Sequence, residues 1–181
     1  MSAGNSTPRL KLAMDLDRVE ELSADLERIA EAHDAAMPLM RQLVAHFKTR
    51  VPHYHWVGIY LRAGDKLELG PYAGAPSPHA RIGLDQGLCG AAARANQAVV
   101  AADVSADERY LACSPQTRSE IVVPIADGAR VLGVMDIDSD QPNAFNEHDQ
   151  ALLERAASLV AGAIARASEP PRWPEPEAIT T

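Results

Sequence analysis

The feature that most constrains the fold of this chain is an Asp127-Gly128 dipeptide between two apolar stretches. Asp-Gly in that setting is among the strongest short-range indications of a β-hairpin. Successive side chains of a strand point to opposite faces, so Asp136 and Asp138 share one face of the second strand. Glu120 lies at the start of the first strand. The hairpin is therefore expected to bring three carboxylates together.

Helical patterns flank a set of strands along the rest of the chain. Helices are expected at 12–36, 39–48, 88–95 and 150–167, and strands at 56–61, 67–72, 98–102, 119–126 and 130–138. We expect Gly70-Pro71 to stop the second of these strands. Antiparallel hairpins with helices at both chain ends favour an α+β fold. The expected architecture is an antiparallel sheet with helices on one face and loops roofing a ligand pocket on the other.

The 181 residues are expected to form one domain, at 37–168, with a helix before it and irregular ends. Residues 1–11 and the proline-rich tail at 169–181, which includes Trp173, are expected to be disordered. The helix at 12–36 carries a narrow heptad seam of apolar residues. That seam either packs on the helix's own domain or pairs with a second copy in a homodimer.

The charge of the chain excludes several classes of partner. A formal net charge of −8 argues against nucleic acid and anionic membranes, because phosphate contacts need clustered lysine and arginine. No apolar run approaches the length of a membrane helix, and the N-terminal residues lack the apolar segment of a secretory signal. A cytoplasmic location is expected.

The two cysteines, Cys89 and Cys113, are not spaced like zinc ligands, and no metal or other cofactor is expected. Cys113 lies in a polar connection, 103–118, that has no periodicity. Connections of that length are uncommon unless they are functional. A thiol opposed by three carboxylates is costly to assemble unless something cationic lies between them. We therefore expect Cys113 and the hairpin acids to form a site.

A set of motifs resembles the GAF domain family and, within it, the free methionine-(R)-sulfoxide reductases. They are Trp56-x-x-x-Tyr60, Leu69-Gly-Pro-Tyr-Ala-Gly74, Gly87-Leu-Cys-Gly90, Ala112-Cys113, Ser119-Glu-Ile-Val-Val-Pro124 and Gly133-Val-Met-Asp-Ile-Asp-Ser139. The resemblance runs from about residue 35 to residue 168. It implies reduction of free L-methionine (R)-S-oxide to methionine.

The resemblance also implies a role for each matching residue. Cys113 becomes the nucleophile and is left as a sulfenic acid. The substrate contacts become Glu120, Asp136 and Asp138, with Trp56 and Tyr60 as the aromatic wall of the pocket. Cys89 matches the middle cysteine of the three that are typical of the family. His79 stands where the family's usual resolving cysteine falls.

The chemistry of free methionine sulfoxide suits such a pocket. Its ammonium group is attracted to carboxylates in a medium of low dielectric constant. Without a cation, at least one of three converging acids should take up a proton, and a protonated carboxyl can donate to the sulfoxide oxygen while a thiolate attacks sulfur. Sulfur–aromatic contact favours placing the thioether against Trp56.

Several alternatives remain open at the level of sequence. For oxidised Cys113 the sequence leaves three outcomes: re-reduction by Cys89, re-reduction by an external thiol of the glutathione or thioredoxin type, or loss of turnover. The alternative interpretation of Cys89 is a buried structural thiol, and that of His79 is an exposed loop residue. The alternative interpretation of Trp56 and Tyr60 is core packing. The alternative function is a non-catalytic GAF module that binds a small ligand as a dimeric sensor.

Overall fold

The computed structural model describes residues 14–169, 171 and 175–181. The helices are α1 (Leu16–Ala32), α2 (Ala36–Arg50), α3 (Gly87–Ala95) and α4 (Glu147–Arg166). The strands are β1 (Trp56–Ala63), β2 (Lys66–Ala73), β3 (Arg81–Gly83), β4 (Val99–Ala101), β5 (Ser119–Asp127), β6 (Arg130–Ser139) and β7 (Glu177–Ala178). One sheet joins them in the order β3-β2-β1-β6-β5-β4, and β7 pairs with β2. The α+β fold expected from the sequence is confirmed.

The β5–β6 hairpin forms as the Asp127-Gly128 dipeptide predicts. Asp127 pairs with Arg130 across the turn, and Gly128 adopts φ +58°, a conformation in which glycine has no steric penalty. The register places Glu120 directly opposite Asp138. These two side chains therefore lie on one face of two neighbouring strands, together with Asp136.

Three helices cover the opposite face of the sheet. Leu26 of α1, Leu43 of α2 and Leu152 of α4 are fully buried there against strand residues such as Ile59 and Ile121. Full burial of a leucine side chain contributes roughly 1.5–3 kcal/mol to stability. The helices thus cover one face of the sheet and leave its second face to carry a site.

Helix α4 begins at a capping box that is also tied to β1. The Asn146 side chain accepts hydrogen bonds from the backbone N–H groups of His148 and Asp149, and Asp149 accepts in return from the Asn146 N–H. The buried Asp149 carboxylate also accepts from the Tyr54 hydroxyl at 3.0 Å and lies 2.7 Å from His53 Nε2. These bonds fix the start of β1, from which Trp56 follows.

Helix α3 packs on the second face, among the loops. Its Leu88, Cys89 and Ala92 are buried against Tyr60 and Val134 of the sheet. The site face is thus roofed by a short helix as well as by the connections around it.

Helix α1 lies on its own domain within the described residues. Leu22 and Leu26 are completely buried, while Leu16 is 57% exposed. The helix ends at Ala32, and α2 begins at Ala36, before Pro38, because proline is well tolerated in the first helical turn. No helix in the described ranges is both long and apolar enough to cross a bilayer.

The expectation of a wholly disordered tail at 169–181 is wrong. Glu177 and Ala178 pair in parallel with Pro71 and Tyr72 of β2, and the Ile179 N–H donates to the Tyr72 carbonyl at 2.7 Å. An unpaired strand edge offers hydrogen-bonding groups that a short segment of any composition can satisfy. Residues 1–11 and Trp173, for which disorder was also expected, lie outside the described residues.

Strand β2 also differs from expectation, since it continues through Gly70-Pro71 to Ala73. The β1–β2 register shifts between Gly58 and Tyr60, which marks a bulge opposite this dipeptide. Proline is compatible with a strand at such irregularities.

Candidate active site

The three acids of the hairpin are buried in the second face of the sheet. Glu120, Asp136 and Asp138 are 5%, 1% and 4% exposed. A carboxylate oxygen of Glu120, one of Asp136 and the Sγ of Cys89 lie within 4.8 Å of one another. The side chain of Asp136 accepts hydrogen bonds from Glu120 and from Cys89. Strand alternation and the β5–β6 register thus produce the cluster that the sequence predicted.

Burial changes the acidity of all three acids. It raises the pKa of Glu120 and Asp138 well above their usual values, and neighbouring negative charge adds to the effect. Burial also raises the pKa of Asp136, to about 6, while the hydrogen bonds from Cys89 and Glu120 act in the opposite direction. Asp136 is therefore the member of the cluster best suited to remain ionised, with protonated neighbours donating to it.

Two oxygens of the cluster have no hydrogen-bond partner among the described residues, Asp136 Oδ1 and Asp138 Oδ1. A buried polar atom left unpaired costs roughly 1–3 kcal/mol. A bound cation or hydrogen-bond donor would remove that cost, so the cluster is complementary to a positively charged group.

A cavity of about 210 Å³ reaches one side of this cluster. It is lined by His55, Trp56, Ala75, Pro76, Ser77, Cys113, Ser114, Gln116, Thr117, Asp138, Ser139 and Asp140. Among the described residues, no lysine or arginine belongs to the lining. Of the site residues expected from the sequence, Trp56, Cys113 and Asp138 line the cavity. The other four, Tyr60, Cys89, Glu120 and Asp136, are buried outside its lining.

Trp56 forms a fixed wall of the cavity. Its indole N–H donates to the Ala75 carbonyl at 2.9 Å, and its ring stacks on Tyr72 at a centroid distance of 5.9 Å. Gly58 leaves the space that the ring fills, because a Cβ there would lie 2.1 Å from Trp56 Cη2. The indole is thus held in one position before any ligand arrives.

Cys113 is half-buried in its loop, and its thiol donates to the Leu111 carbonyl at 3.4 Å. Burial and the charges of Asp136, Asp138 and Glu120 raise the pKa of this thiol, and a hydrogen bond with Ser77 opposes them. Cys113 is therefore held as a thiol while the cavity has no cation in it.

Sequence comparison assigns this chain to a family. The GAF domain family matches residues 31–164. The chain is 31% identical to the free methionine-R-sulfoxide reductase of Escherichia coli, over 77% of this chain and 84% of that protein. The chain belongs to the GAF domain family, in the branch of these reductases. The resemblance read from the sequence motifs is confirmed.

Solved structures similar to this GAF domain include free methionine-R-sulfoxide reductases. The type II free methionine-R-sulfoxide reductase of Thermoplasma acidophilum is 38% identical, with 75% of this chain and 94% of that chain covered and a TM-score of 0.69. The free methionine-R-sulfoxide reductase of Neisseria meningitidis, in complex with its substrate, is 31% identical, with coverage of 81% and 88% and a TM-score of 0.77.

His79 of the GAF domain contacts the loop that carries Cys113. Its Nε2 lies 3.1 Å from the carbonyl oxygen of Ala112, and its backbone N–H donates to Ser77 Oγ at 3.1 Å. The Tyr60 hydroxyl donates to the His79 carbonyl at 3.1 Å. His79 is thus adjacent to the loop that carries Cys113.

Ser77 and Thr117 are among the polar residues of the GAF domain's cavity that sequence reasoning missed. Ser77 accepts from the His79 N–H and hydrogen-bonds to Cys113, and Thr117 hydrogen-bonds to Asp138. Ser77 stands between two prolines in a loop, a weak signal that the chain there is held rigid. Thr117 carries no comparable signal.

The group formed by Cys89, Glu120 and Asp136 has donor types that zinc accepts. Binding would require a thiolate and ionised carboxylates, yet burial raises the pKa of Cys89 and of Glu120 and so disfavours both charged forms. The donor set of this GAF domain is therefore better suited to hydrogen bonding than to metal coordination.

Proposed function

We propose that this GAF domain reduces free L-methionine (R)-S-oxide to methionine, with Cys113 as the nucleophile. The observation that carries the proposal is a half-buried thiol, Cys113, that lines a cavity of about 210 Å³ together with Asp138, one member of a cluster of three buried acids. The similarity to reductases of free methionine-R-sulfoxide supports the same substrate.

The substrate's ammonium group is bound at the acid cluster, where Asp138 lines the cavity and Asp138 Oδ1 lacks a partner. Its methyl sulfoxide end lies against the Trp56 indole, since sulfur–aromatic contacts are favourable. Because Glu120 and Asp138 have raised pKa values, one of them is protonated and can donate to the sulfoxide oxygen.

In the first half-reaction the Cys113 sulfur attacks the sulfoxide sulfur and forms a sulfur–sulfur bond, while the sulfoxide oxygen takes up a proton. The oxygen then passes to the Cys113 sulfur as hydroxyl, the sulfur–oxygen bond of the substrate and the new sulfur–sulfur bond break, and methionine is released from a Cys113 sulfenic acid. The thiol is oxidised by two electrons and the sulfoxide is reduced by two.

The positive charge of the substrate's ammonium group helps to activate Cys113 in this first half-reaction. The acids that raise the pKa of Cys113 also attract the ammonium group, whose positive charge then offsets theirs. The bound zwitterion thereby lowers the cost of forming the thiolate that attacks it, so the nucleophile is activated when the substrate is present.

The sulfenic acid is re-reduced either by Cys89 or by an external thiol of the glutathione or thioredoxin type. Cys89 faces the acid cluster from α3 and is a free thiol. The enzyme acts in the cytoplasm as a homodimer, in which α1 supplies the contact through its exposed Leu16 end.

The test is consumption of free methionine sulfoxide with dithiothreitol as reductant, resolved by epimer. The native protein should consume the R epimer and spare the S epimer. Cys113→Ser should lower the rate at least about 1000-fold, because the nucleophile is lost, whereas Cys89→Ser should retain measurable turnover. No loss of the R epimer by the native protein would overturn the proposed function.

A further inference from the structure

We propose that Asp136 is the general base that takes the proton of Cys89 when Cys89 attacks the sulfenic acid of Cys113. This role rests on the proposed function and deepens it. It also separates two aspartates that strand alternation places on the same face, giving Asp138 to the substrate and Asp136 to the re-reduction step.

The two aspartates have different surroundings. Asp138 lines the cavity together with Cys113 and Trp56. Asp136 is 1% exposed and is not part of that lining. Its carboxylate instead meets Cys89 Sγ and Glu120 within 4.8 Å and is hydrogen-bonded to both. Asp136 therefore contacts the resolving thiol rather than the space that the substrate fills.

A base is needed at Cys89 because only the thiolate is an effective nucleophile. Burial is the main cause that raises the pKa of this thiol, and the charge of Asp136 adds to it, so Cys89 does not ionise spontaneously. The same Asp136 that holds the proton in a hydrogen bond is positioned to accept it. A negative charge on Cys89 or on Cys113 raises the pKa of the Tyr60 hydroxyl. Both sulfurs therefore lie near Tyr60.

The step balances without a further reactant. The Cys89 proton moves to Asp136, and the Cys89 sulfur forms a bond with the Cys113 sulfur. The sulfur–oxygen bond of the sulfenic acid breaks, and the departing hydroxide takes a proton from neutral Glu120 or Asp138 to leave as water. The products are a disulfide and water, and the oxidising equivalent is the one delivered by the substrate. The Glu120–Asp136 hydrogen bond then allows the proton to be shared between them again.

The experiment is a single turnover with one equivalent of methionine (R)-S-oxide and no reductant. Methionine is measured by chromatography and the loss of both thiols by mass spectrometry. Asp136→Asn should slow disulfide formation at least about tenfold more than it slows methionine formation, as expected for loss of a general base. In the matched variant Asp138→Asn, methionine formation should be slowed and the disulfide should follow it without further delay, because the disulfide forms only from the sulfenic acid.

The native protein provides a readout that does not depend on folding of a variant. The groups facing Asp136 are Cys89 of α3, Cys113 of the loop before β5, Glu120 of β5, Tyr60 of β1 and Asp138 of its own strand. Because the pKa of Asp136 is about 6, disulfide formation should slow as the pH falls below that value, while methionine formation should not.

The remaining outcomes distinguish a failure of the role of Asp136 from a failure of the proposed function. If methionine forms but no disulfide between Cys89 and Cys113 follows, an external thiol resolves Cys113 and the role of Asp136 is wrong. Equal slowing of both steps by Asp136→Asn, or a pH-independent disulfide step in the native protein, would also overturn it. Absence of any methionine would overturn the proposed function instead.

Discussion

At the scale of single residues, the lining of the cavity contains two acids and, among the described residues, no strong base. Asp138 and Asp140 line it, and no lysine or arginine of the described residues does. We therefore expect the ammonium group of the substrate to be the part that this site recognises through charge. For the substrate's carboxylate the lining offers neutral side chains such as Ser77 and Gln116, and His55, whose Nε2 lies 3.0 Å from Asp140.

Blocking the ammonium group should thus be far more damaging than blocking the carboxylate. N-acetyl-methionine (R)-S-oxide should show a kcat/KM at least about 100-fold lower than the free amino acid, because it forfeits a charge-assisted interaction in a buried site. The methyl ester, which keeps the ammonium group, is the matched control and should lose less. Equal rates for the N-acetyl compound and the free amino acid would show that the acid cluster does not bind the ammonium group.

The residues of the site differ in how far the sequence reveals them. The acids could be predicted, because alternation and the Asp127-Gly128 turn determine their face and their pairing. The different surroundings of Asp136 and Asp138 could not, since they depend on where α3 and the Cys113 loop pack. Ser77 reaches Cys113 through a tertiary contact that leaves no local pattern.

At the scale of elements, α3 is positioned by the absence of a side chain at Gly90. A Cβ there would lie 2.6 Å from the Leu84 carbonyl oxygen, so the helix rests directly on the backbone before it. This close approach holds Cys89, the preceding residue, against the acid cluster.

Gly90→Ala should therefore destabilise the protein by about 1–3 kcal/mol, as overpacking against backbone does. Gly162→Ala in α4 is the matched helical control. Its Cβ would meet only the flexible end of Arg166, at 3.3 Å, so the change should be neutral or stabilising. Chemical denaturation of both variants measures the difference. Equal stability of the two variants would contradict the role assigned to Gly90.

The elements themselves were predictable where periodicity runs long, as in β5, β6 and α4. β7 was not, because two residues carry no period and their pairing depends on a free edge of β2. The passage of β2 through Gly70-Pro71 likewise depends on a bulge in the neighbouring strand. Composition alone predicted a disordered tail at 169–181 and a strand that stops at Gly70-Pro71.

At the scale of the whole molecule, the acid cluster makes stability depend on pH. The folded state raises the pKa values of Glu120, Asp136 and Asp138, so above about pH 4 it binds more protons than the unfolded chain does. Stability contributed by these groups is present at low pH and is lost as the pH rises through their folded pKa values. For Asp136, a shift from 3.8 to about 6 corresponds to about 3 kcal/mol.

The ligand-free protein should accordingly lose thermal stability between pH 5 and pH 8, and Asp138→Asn should lose less. The comparison of the two proteins matters because half-buried His46, whose pKa is lowered, acts in the opposite sense. Differential scanning calorimetry across this range checks the expectation. Added methionine should restore stability to the native protein at pH 8 if its ammonium group binds the cluster. Parallel pH curves for the two proteins would exclude Asp138 as a contributor.

The short strand β7 has a practical bearing on how the protein is handled. Ala178 pairs with Tyr72, whose ring stacks on the Trp56 indole, and Arg41 anchors the same segment through Glu177 at 2.8 Å. An affinity tag fused after Thr181 would therefore emerge three residues beyond a strand whose partner supports a wall of the cavity. Kinetic work should use a tag at the other end of the chain, or one that is cleaved away before any measurement.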